Sequence, residues 1–199
     1  MKKIISVLVL TFFISSTSHA INYSNDPKLF IQELVNDAIS KLADKTVSVE
    51  EKEKHIENIA LNNVDINALG LYTLGELRKS TEKDKLIEYV KAFEKYFLKS
   101  LTSRLTDYSS NKFEITGAET KSSNYTIVKS KVSQSDSQPE IKVDWRVYTK
   151  NPEKPLIRDL IVEGLSLART QKEEFASILN SNDNDIDILI SKLKEFLKE

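Results

Sequence analysis

The residue types that most often carry catalysis or bind metal ions are scarce in this chain of 199 residues. It contains two histidines and no cysteine, and His19 lies in a leader-like segment at the N-terminus. His55 is the only histidine after that segment, so a multi-histidine metal site or a Ser-His-Asp triad lacks the residues that it requires. We expect His55 to lie on the surface of a polar helix, and we predict no metal site and no cofactor.

Two glycine-containing stretches match catalytic motifs only in part. Residues 70–75 have the glycine spacing of a phosphate-binding loop, but Glu76 and Leu77 occupy the positions where that loop needs Lys and then Ser or Thr. Gly164-Leu-Ser166 lacks the second glycine of a nucleophile elbow. Because glycine costs a helix about 1 kcal/mol relative to alanine, the two glycines of the first stretch indicate either tight helix packing or a bend at a cavity wall.

Asp144 and Glu163 are isolated carboxylates in strand-like sequence and are candidates for a general acid. Acid–base catalysis needs two groups whose environments shift their pKa values apart, and no such pair can be recognised. We interpret Asp144 as a partner of Arg146 or Lys142, and Glu163 as an anchor between a strand and the next helix. We predict that the chain is not an enzyme. The alternative is a small α+β enzyme with a pocket as its active site. Loss of turnover when the two carboxylates are substituted would favour it.

Helical periodicity dominates the chain up to about residue 108. Asp26 precedes a proline that suits the first helical position, and Ser48 and Glu51 form a capping box. The period then drops to two in four runs, which predict strands, before it returns to that of a helix. The predicted helices begin at Pro27 and Ser48 and span about 66–78, 82–108, 165–179 and 186–197, and the predicted strands span about 113–118, 124–133, 140–148 and 156–163. This order predicts an α+β fold with a four-stranded antiparallel sheet between N-terminal and C-terminal helices.

Aromatic residues form a stripe on the longest predicted helix, and the single tryptophan lies in the third predicted strand. That strand alternates, so its apolar residues share one face of the sheet and its charged residues share the other. The apolar set is Ile141, Val143, Trp145 and Val147, and the stripe contains Phe93 and Phe97, with Tyr89 beside it. The two surfaces either pack as an ordinary core or line a cavity between them, and the pattern fits both.

The first twenty residues have the features of a cleavable secretory signal peptide. Lys2 and Lys3 precede an apolar core at 4–14, and Ser18-His19-Ala20 resembles a cleavage site. That core is shorter than the roughly 20 residues that span a bilayer. We predict an exported mature chain of one domain, 21–199. Of the 29 basic residues only Lys2 and Lys3 precede residue 21, so the mature chain has 27 basic and 30 acidic residues, which does not suggest a nucleic-acid partner.

Three stretches of the C-terminal half resemble the MlaC family, also called the toluene-tolerance or ABC-transporter auxiliary family. They are Asp144-Trp-Arg-Val147, the junction Asp159-Leu-Ile-Val-Glu-Gly-Leu-Ser166 and Thr170-Gln-Lys-Glu-Glu-Phe-Ala-Ser-Ile-Leu179. The helical region is similar to that family more loosely, so the resemblance extends over about residues 26–197. The chain departs from the family pattern at Arg158, where an aromatic residue is usual, and in the turn 151–155, where glycine is usual.

The resemblance implies a periplasmic phospholipid carrier with an apolar cavity between helices and sheet, and with bound phospholipid as cargo instead of a cofactor. It implies two protein partners, an inner-membrane ABC transporter complex and an outer-membrane lipoprotein–porin complex, between which lipid moves to maintain outer-membrane lipid asymmetry. The side chains expected to line the cavity are Tyr72, Tyr89, Phe93, Phe97, Val143, Trp145, Val147, Ile161 and Leu165. A periplasmic polypeptide-binding or chaperone module is a further alternative, which an exposed apolar groove would favour.

Overall fold

The computed structural model describes residues 22–105, 112–133 and 139–198, and the predicted signal peptide lies outside these ranges. The helices are α1 Pro27–Ala43, α2 Val49–Asn63, α3 Ile66–Thr73, α4 Lys83–Leu105, α5 Leu167–Asn180 and α6 Ile186–Phe196, with a 3-10 helix at Gly75–Lys79. The strands are β1 Lys112–Ser122, β2 Tyr125–Ser133, β3 Ile141–Tyr148, β4 Leu156–Val162 and β5 Leu165–Ser166. Within the described ranges, no helix is both long and apolar enough to cross a membrane.

Side-chain caps fix where the first two helices begin. The Asp26 carboxylate accepts two backbone N–H groups of the first turn of α1, and Pro27 takes the first helical position, where its missing N–H has no intrahelical partner to lose. The capping box predicted at Ser48 is confirmed, because its hydroxyl accepts from Glu51 N while the Glu51 carboxylate accepts from Ser48 N. α1 packs against α2, β1 and β2, so these caps also position the cover of one sheet face.

The single helix predicted over 66–78 is divided in the structure. Gly75 has a φ of +57°, a left-handed conformation that glycine adopts without steric cost, and it separates α3 from the 3-10 helix. Gly70 lies against α4, where an added Cβ would be 2.9 Å from Phe93 Cδ1. Tight helix packing therefore explains Gly70, and a bend explains Gly75.

The four predicted strands are present, and the short β5 completes an antiparallel sheet in the order β1-β2-β3-β4-β5. Glu163 and Gly164 connect β4 to β5 and have φ values of 48° and 85°, the positive sign that type I′ hairpin turns require at both central residues. The Glu163 carboxylate accepts a hydrogen bond from the backbone N–H of Lys142, which anchors this turn to β3. The helix predicted from residue 165 therefore begins later, at Leu167, where the Ser166 hydroxyl caps it.

Two apolar cores stabilise these elements. The sheet core lies between α1, α2 and one face of the sheet, and the helical core lies among α3, α4, α5 and α6. Each core contains side chains that are almost completely buried. They are Phe30, Ile31, Val128 and Val147 in the sheet core, and Tyr89, Phe93, Phe175 and Leu189 in the helical core. Burying one large apolar side chain contributes about 1.5–3 kcal/mol, so the two cores account for much of the stability.

His55 is more enclosed than we expected, with 20% of its side chain exposed. Its Nε2 atom lies 3.1 Å from Asp37 Oδ2, an ion-pair distance without the alignment of a hydrogen bond. Asp37 also accepts the Tyr23 hydroxyl at 2.5 Å, and burial together with this hydrogen bond raises the pKa of Tyr23. The cluster joins the segment before α1 to α1 and α2.

Candidate functional site

A cavity of about 720 Å³ lies between α3, the beginning of α5 and one face of the sheet. Ligand cavities usually have volumes of roughly 300 to 1,000 Å³. The apolar residues of its wall on α3, β4 and the start of α5 are Ala68, Leu69, Tyr72, Ile161 and Ala168. β1 and β4 are three strand spacings apart in the sheet order, about 14 Å, so the β1 part of the wall is the part of the sheet farthest from Ile161 on β4.

The junction between β4 and α5 positions the apolar side of the cavity. Asp159 is 4% exposed, and its carboxylate accepts the Ser166 hydroxyl at 2.7 Å and the Ala168 backbone N–H at 3.0 Å. A carboxylate beside the first turn of a helix also interacts favourably with the helix dipole. Asp159 therefore holds the start of α5 against the sheet and places Ala168 in the cavity wall.

The cavity faces the side of the sheet that carries the charged residues of β3. Ile127 is opposite Arg146 and Lys129 is opposite Asp144 in the register of β2 and β3, and all four lie in the cavity wall. Because successive strand residues point to opposite faces, Trp145 lies on the other side of the sheet. We expected the cavity on the tryptophan-bearing face, and the structure places it on the charged face.

Two of the nine side chains predicted to line a cavity, Tyr72 and Ile161, lie in this wall. Leu165 is on β5 and is 58% exposed. The other six are Tyr89, Phe93 and Phe97 in the helical core, and Val143, Trp145 and Val147 on the opposite face of the sheet. The predicted set is thus divided among three parts of the molecule, and lipid contact by its members stays a prediction.

The aromatic stripe of α4 packs against other helices and not against the sheet. Phe93 stacks on Phe97 with 6.2 Å between ring centroids and meets Phe175 of α5 edge-on at 6.3 Å. The Tyr89 hydroxyl is 2.7 Å from Thr73 Oγ1, and burial raises the pKa of Tyr89 despite that hydrogen bond. The expected apposition of stripe and sheet is corrected, because α5 and α6 cover the stripe.

Trp145 belongs to the sheet core. Its indole N–H donates to Ser130 Oγ at 2.9 Å, and its ring meets Phe113 edge-on at 6.4 Å. Val147 has no exposed surface and packs in the same core. The apolar face detected in the sequence is therefore filled by packing, which was one of the two interpretations that the pattern allowed.

The β1 and β2 side of the cavity is charged. Glu119 pairs with Lys121 at 2.5 Å and lies 3.4 Å from Lys129. Hydrogen bonds from Lys121 and then Lys129 hold the pKa of Glu119 below its ordinary value. One carboxylate thus serves two ammonium groups, both of them in the cavity wall.

The β3 residues of the wall have looser partners. Arg146 Nη1 lies 3.6 Å from Asp159 Oδ2, which is longer than a hydrogen bond. Asp144 makes no ion pair with any residue that the structure describes, so the expected pairing with Arg146 or Lys142 is absent there. Neither group is held by strong contacts within the described protein.

Arg158 lines the cavity but is not one of the nine side chains predicted to do so. Its Nε and Nη2 atoms donate to Asp65 Oδ2 at 2.8 and 2.6 Å, and Nη1 donates to the Tyr125 hydroxyl at 2.9 Å. The guanidinium carbon lies 3.5 Å from the ring centroid of Tyr148. Burial opposes its charge, but the hydrogen bonds with Tyr125 and Asp65 outweigh that effect and raise its pKa. The departure from the family pattern at this position was the available sequence signal.

The Arg158 cluster holds the helical wall of the cavity on the sheet. Asp65 caps α3 by accepting from Ala68 N at 3.1 Å, and its own N–H donates to Ile157 O at 2.9 Å. A β-bulge in β4 opposite Arg146 and Val147 interrupts the register at this point. Bulges re-aim side chains, and here Arg158 reaches the start of α3.

Chemically, the cavity combines an apolar side with a charged side that has both signs. Among the described residues no group of three or more His, Cys, Asp or Glu side chains could hold a metal ion. An amphipathic molecule with an apolar body and a charged end matches this division, because burying apolar surface is favourable while a charge needs a partner.

Comparison with known proteins identifies the family to which this chain belongs. A sequence model of the family described as MlaC protein matches residues 32–195, most of the chain. The chain belongs to the MlaC family.

Two relatives illustrate the similarity. The Haemophilus influenzae protein named intermembrane phospholipid transport system binding protein MlaC is 22% identical, over 96% of this chain and 90% of its own length. A phospholipid-binding protein from Ralstonia solanacearum, solved in complex with a phospholipid, superimposes with a TM-score of 0.70 at 15% identity, covering 84% of this chain and 94% of that one. At that identity the second comparison establishes the fold.

Proposed function

We propose that this protein is a phospholipid carrier that shields acyl chains in the cavity between α3, α5 and the sheet. The observation that carries the proposal is the cavity of about 720 Å³ with Leu69, Tyr72 and Ile161 on its apolar side. Each methylene exposed to water costs about 0.8 kcal/mol, so a carrier must enclose most of each chain. Membership of the MlaC family supports the assignment, as do the name of the Haemophilus relative and the phospholipid held by the Ralstonia protein.

The acyl-chain contacts that we propose differ from the set taken from the sequence. Tyr72 and Ile161 remain in it, and Ala68, Leu69 and Ala168 join it because they line the same side of the cavity. The α4 aromatics and the sheet-core residues around Trp145 contact lipid only if those cores open around a larger cargo. Leu165 is exposed and does not line the cavity, so it would contact only a part of the lipid that extends out of the cavity.

The compartment and the protein partners follow from the same proposal. The leader-like segment favours export, and the name of the Haemophilus relative describes an intermembrane transport system. We infer a periplasmic carrier that exchanges lipid with an inner-membrane ABC transporter complex and an outer-membrane lipoprotein–porin complex. Bound phospholipid is its cargo, it uses no cofactor, and we assign it no chemical reaction.

The test is the lipid content of the purified protein, measured by native mass spectrometry, together with extraction of labelled phospholipid from vesicles. Ala168→Trp places a large side chain in the cavity wall, and we expect it to abolish both signals. Ala118→Trp is the matched control, because Ala118 is exposed on β1 and lies outside the cavity wall. Wild-type protein that carries no lipid and extracts none would overturn the proposal.

A further inference from the structure

The charged side chains of the cavity wall come from β1, β2, β3 and β4, and most of them are basic. Among the described residues, the cavity wall contains four basic side chains, Lys121, Lys129, Arg146 and Arg158, and two acidic ones, Glu119 and Asp144. The wall therefore carries more positive than negative side chains, in a chain whose formal net charge is −1. Basic residues are thus concentrated at this site.

The four cations are not equally available to a ligand. Arg158 uses three nitrogens on Asp65 and Tyr125 and stacks on Tyr148. Releasing it would free the start of α3 and leave the carboxylate of Asp65, which is 19% exposed, without its partner. Arg158 is therefore a structural residue of the wall.

Lys129 and Arg146 have weak internal partners and remain accessible. The Nζ atom of Lys129 lies 3.4 Å from Oε2 of Glu119, a carboxylate that also pairs with Lys121. The Lys129 side chain is 47% exposed. Arg146 is 3.6 Å from Asp159 and 44% exposed, and the Asp159 carboxylate already accepts two shorter hydrogen bonds at the start of α5. Both cations can turn to a ligand without breaking a strong contact.

The backbone leaves room beside these two cations. They lie on neighbouring strands and on the same face of the sheet. Gly117 is opposite Lys129 on β1, and a Cβ added there would meet nothing within 4 Å. The register of β1 and β2 shifts between Ile115 and Gly117, so this glycine lies at a β-bulge, and its missing side chain leaves space beside Lys129.

We propose that Lys129 and Arg146 bind the phosphate of a lipid headgroup, with Lys121 as the adjacent cation and with the acyl chains directed towards Leu69 and Ile161. This inference rests on the proposed carrier function and assigns the orientation of the cargo in the cavity. Lysine and arginine form short, charge-assisted hydrogen bonds to phosphate oxygens. The lipid then extends from Lys129 on β2 and Arg146 on β3 towards Ile161 on β4 and Leu69 on α3.

The experiment compares two labelled lipids that have identical acyl chains, phosphatidylglycerol and diacylglycerol, which lacks the phosphate. We expect wild-type protein to extract the phosphate-bearing lipid from vesicles at least about tenfold better, because hydrogen bonds to charged groups are the strong ones. Lys129→Ala combined with Arg146→Ala should bring the ratio close to one, because it lowers the extraction of phosphatidylglycerol and leaves the apolar residues proposed to hold the acyl chains in place.

Two control variants separate this site from charge in general. Lys131→Ala removes a lysine two residues along the same strand that pairs with Glu140 at 2.6 Å and lies outside this cavity wall. Arg169→Ala removes an exposed arginine of α5. Both should keep the wild-type ratio.

The outcomes distinguish this inference from the carrier proposal. If the wild-type protein extracts neither lipid, the carrier function fails and the inference with it. Equal extraction of the two lipids, or an unchanged ratio in the double variant, would overturn the headgroup assignment while leaving the carrier intact. Binding of inorganic phosphate to lipid-free protein, lost in the double variant and unaffected by added lipid, would assign the cluster to free phosphate and overturn the lipid assignment.

Discussion

Neighbouring residues along each strand point to opposite faces of the sheet, and one face is buried while the other lines the cavity. On one face Val128 and Val147 are fully buried beneath α1. On the other, Lys129 and Arg146 are nearly half exposed beside the cavity. The alternation of side chains lets one set of strands supply a packed core and a charged cavity wall, which separates the residues that stabilise the fold from those that we propose for binding.

The separation is incomplete at α3, which contributes to both kinds of surface. Gly70 packs against Phe93 of the helical core, whereas Leu69 and Tyr72 face the cavity. Arg158 and Asp65 fasten the same helix to the sheet. Variants of the buried core and of this attachment should therefore have effects of decreasing size on stability, whereas variants of the charged cavity wall should change lipid preference.

The largest effect should come from the core beneath the closed face. Phe30 is 2% exposed, and Phe30→Ala should lower the free energy of unfolding by about 3–5 kcal/mol because it leaves a cavity. Leu29→Ala is the control on the same helix, since Leu29 is 51% exposed. Urea denaturation followed by circular dichroism measures both. If Phe30→Ala lowered the free energy of unfolding no more than Leu29→Ala, this face of the sheet would not be a buried core.

A smaller effect should come from the attachment of α3. Arg158→Leu removes the hydrogen bonds to Asp65 and Tyr125, and we expect a loss of about 1–3 kcal/mol with faster amide hydrogen exchange in α3. Arg169→Leu removes a guanidinium that is 71% exposed and should change stability by less than about 0.5 kcal/mol. Unchanged exchange in α3 would argue against the attachment.

A matched pair of glycine substitutions compares packed and open backbone. Gly70→Ala places a Cβ 2.9 Å from Phe93 Cδ1. Overpacking costs about 1–3 kcal/mol and the gain in helix propensity is about 1 kcal/mol, so we expect a small net loss near 1 kcal/mol. Gly117→Ala meets nothing within 4 Å and should be close to neutral when both variants are compared by urea denaturation. Equal effects would mean that Phe93 moves aside.

Local patterns were sufficient to predict most elements. The caps at Asp26 and Ser48 act within one turn of chain, so sequence alone located them. Gly75 lies inside the helix predicted over 66–78, because a glycine within a helical apolar pattern does not by itself indicate a positive φ. The turn at Glu163 was missed because its positive φ is rare for a residue other than glycine.

The position of the cavity could not be predicted from the same patterns. Alternation in β3 correctly separated Trp145 from Arg146, but it does not specify which helix covers which face. α1, near the N-terminus, takes the apolar face, while α5 and α6 cover the stripe around Phe93. These are contacts between residues far apart in the chain. Apolar periodicity favours filled cores, so a partly charged cavity wall gives a weaker sequence pattern.

The smallest expected effect concerns Glu119, which competes with a headgroup for its two lysines. Hydrogen bonds from Lys121 and Lys129 lower its pKa from the usual 4.5, so the ionised form stabilises these contacts above that pH, and the contribution is lost as the pH falls through the lowered pKa. Glu119→Gln removes the competing charge at neutral pH and should raise the preference for phosphatidylglycerol over diacylglycerol by about two- to fivefold, the size of one exposed ion pair.

Protonating the wild-type carboxylate should have the same consequence as removing its charge. The wild-type lipid preference should therefore rise below pH 4.5 and approach that of Glu119→Gln, whose preference should change less over the same range. Glu76→Gln is the control, because Glu76 pairs with Lys79 at 2.6 Å outside the cavity. A preference that falls in Glu119→Gln would mean that the carboxylate positions Lys129 for the phosphate, so that the charged face would be organised by its own ion pairs before lipid arrives.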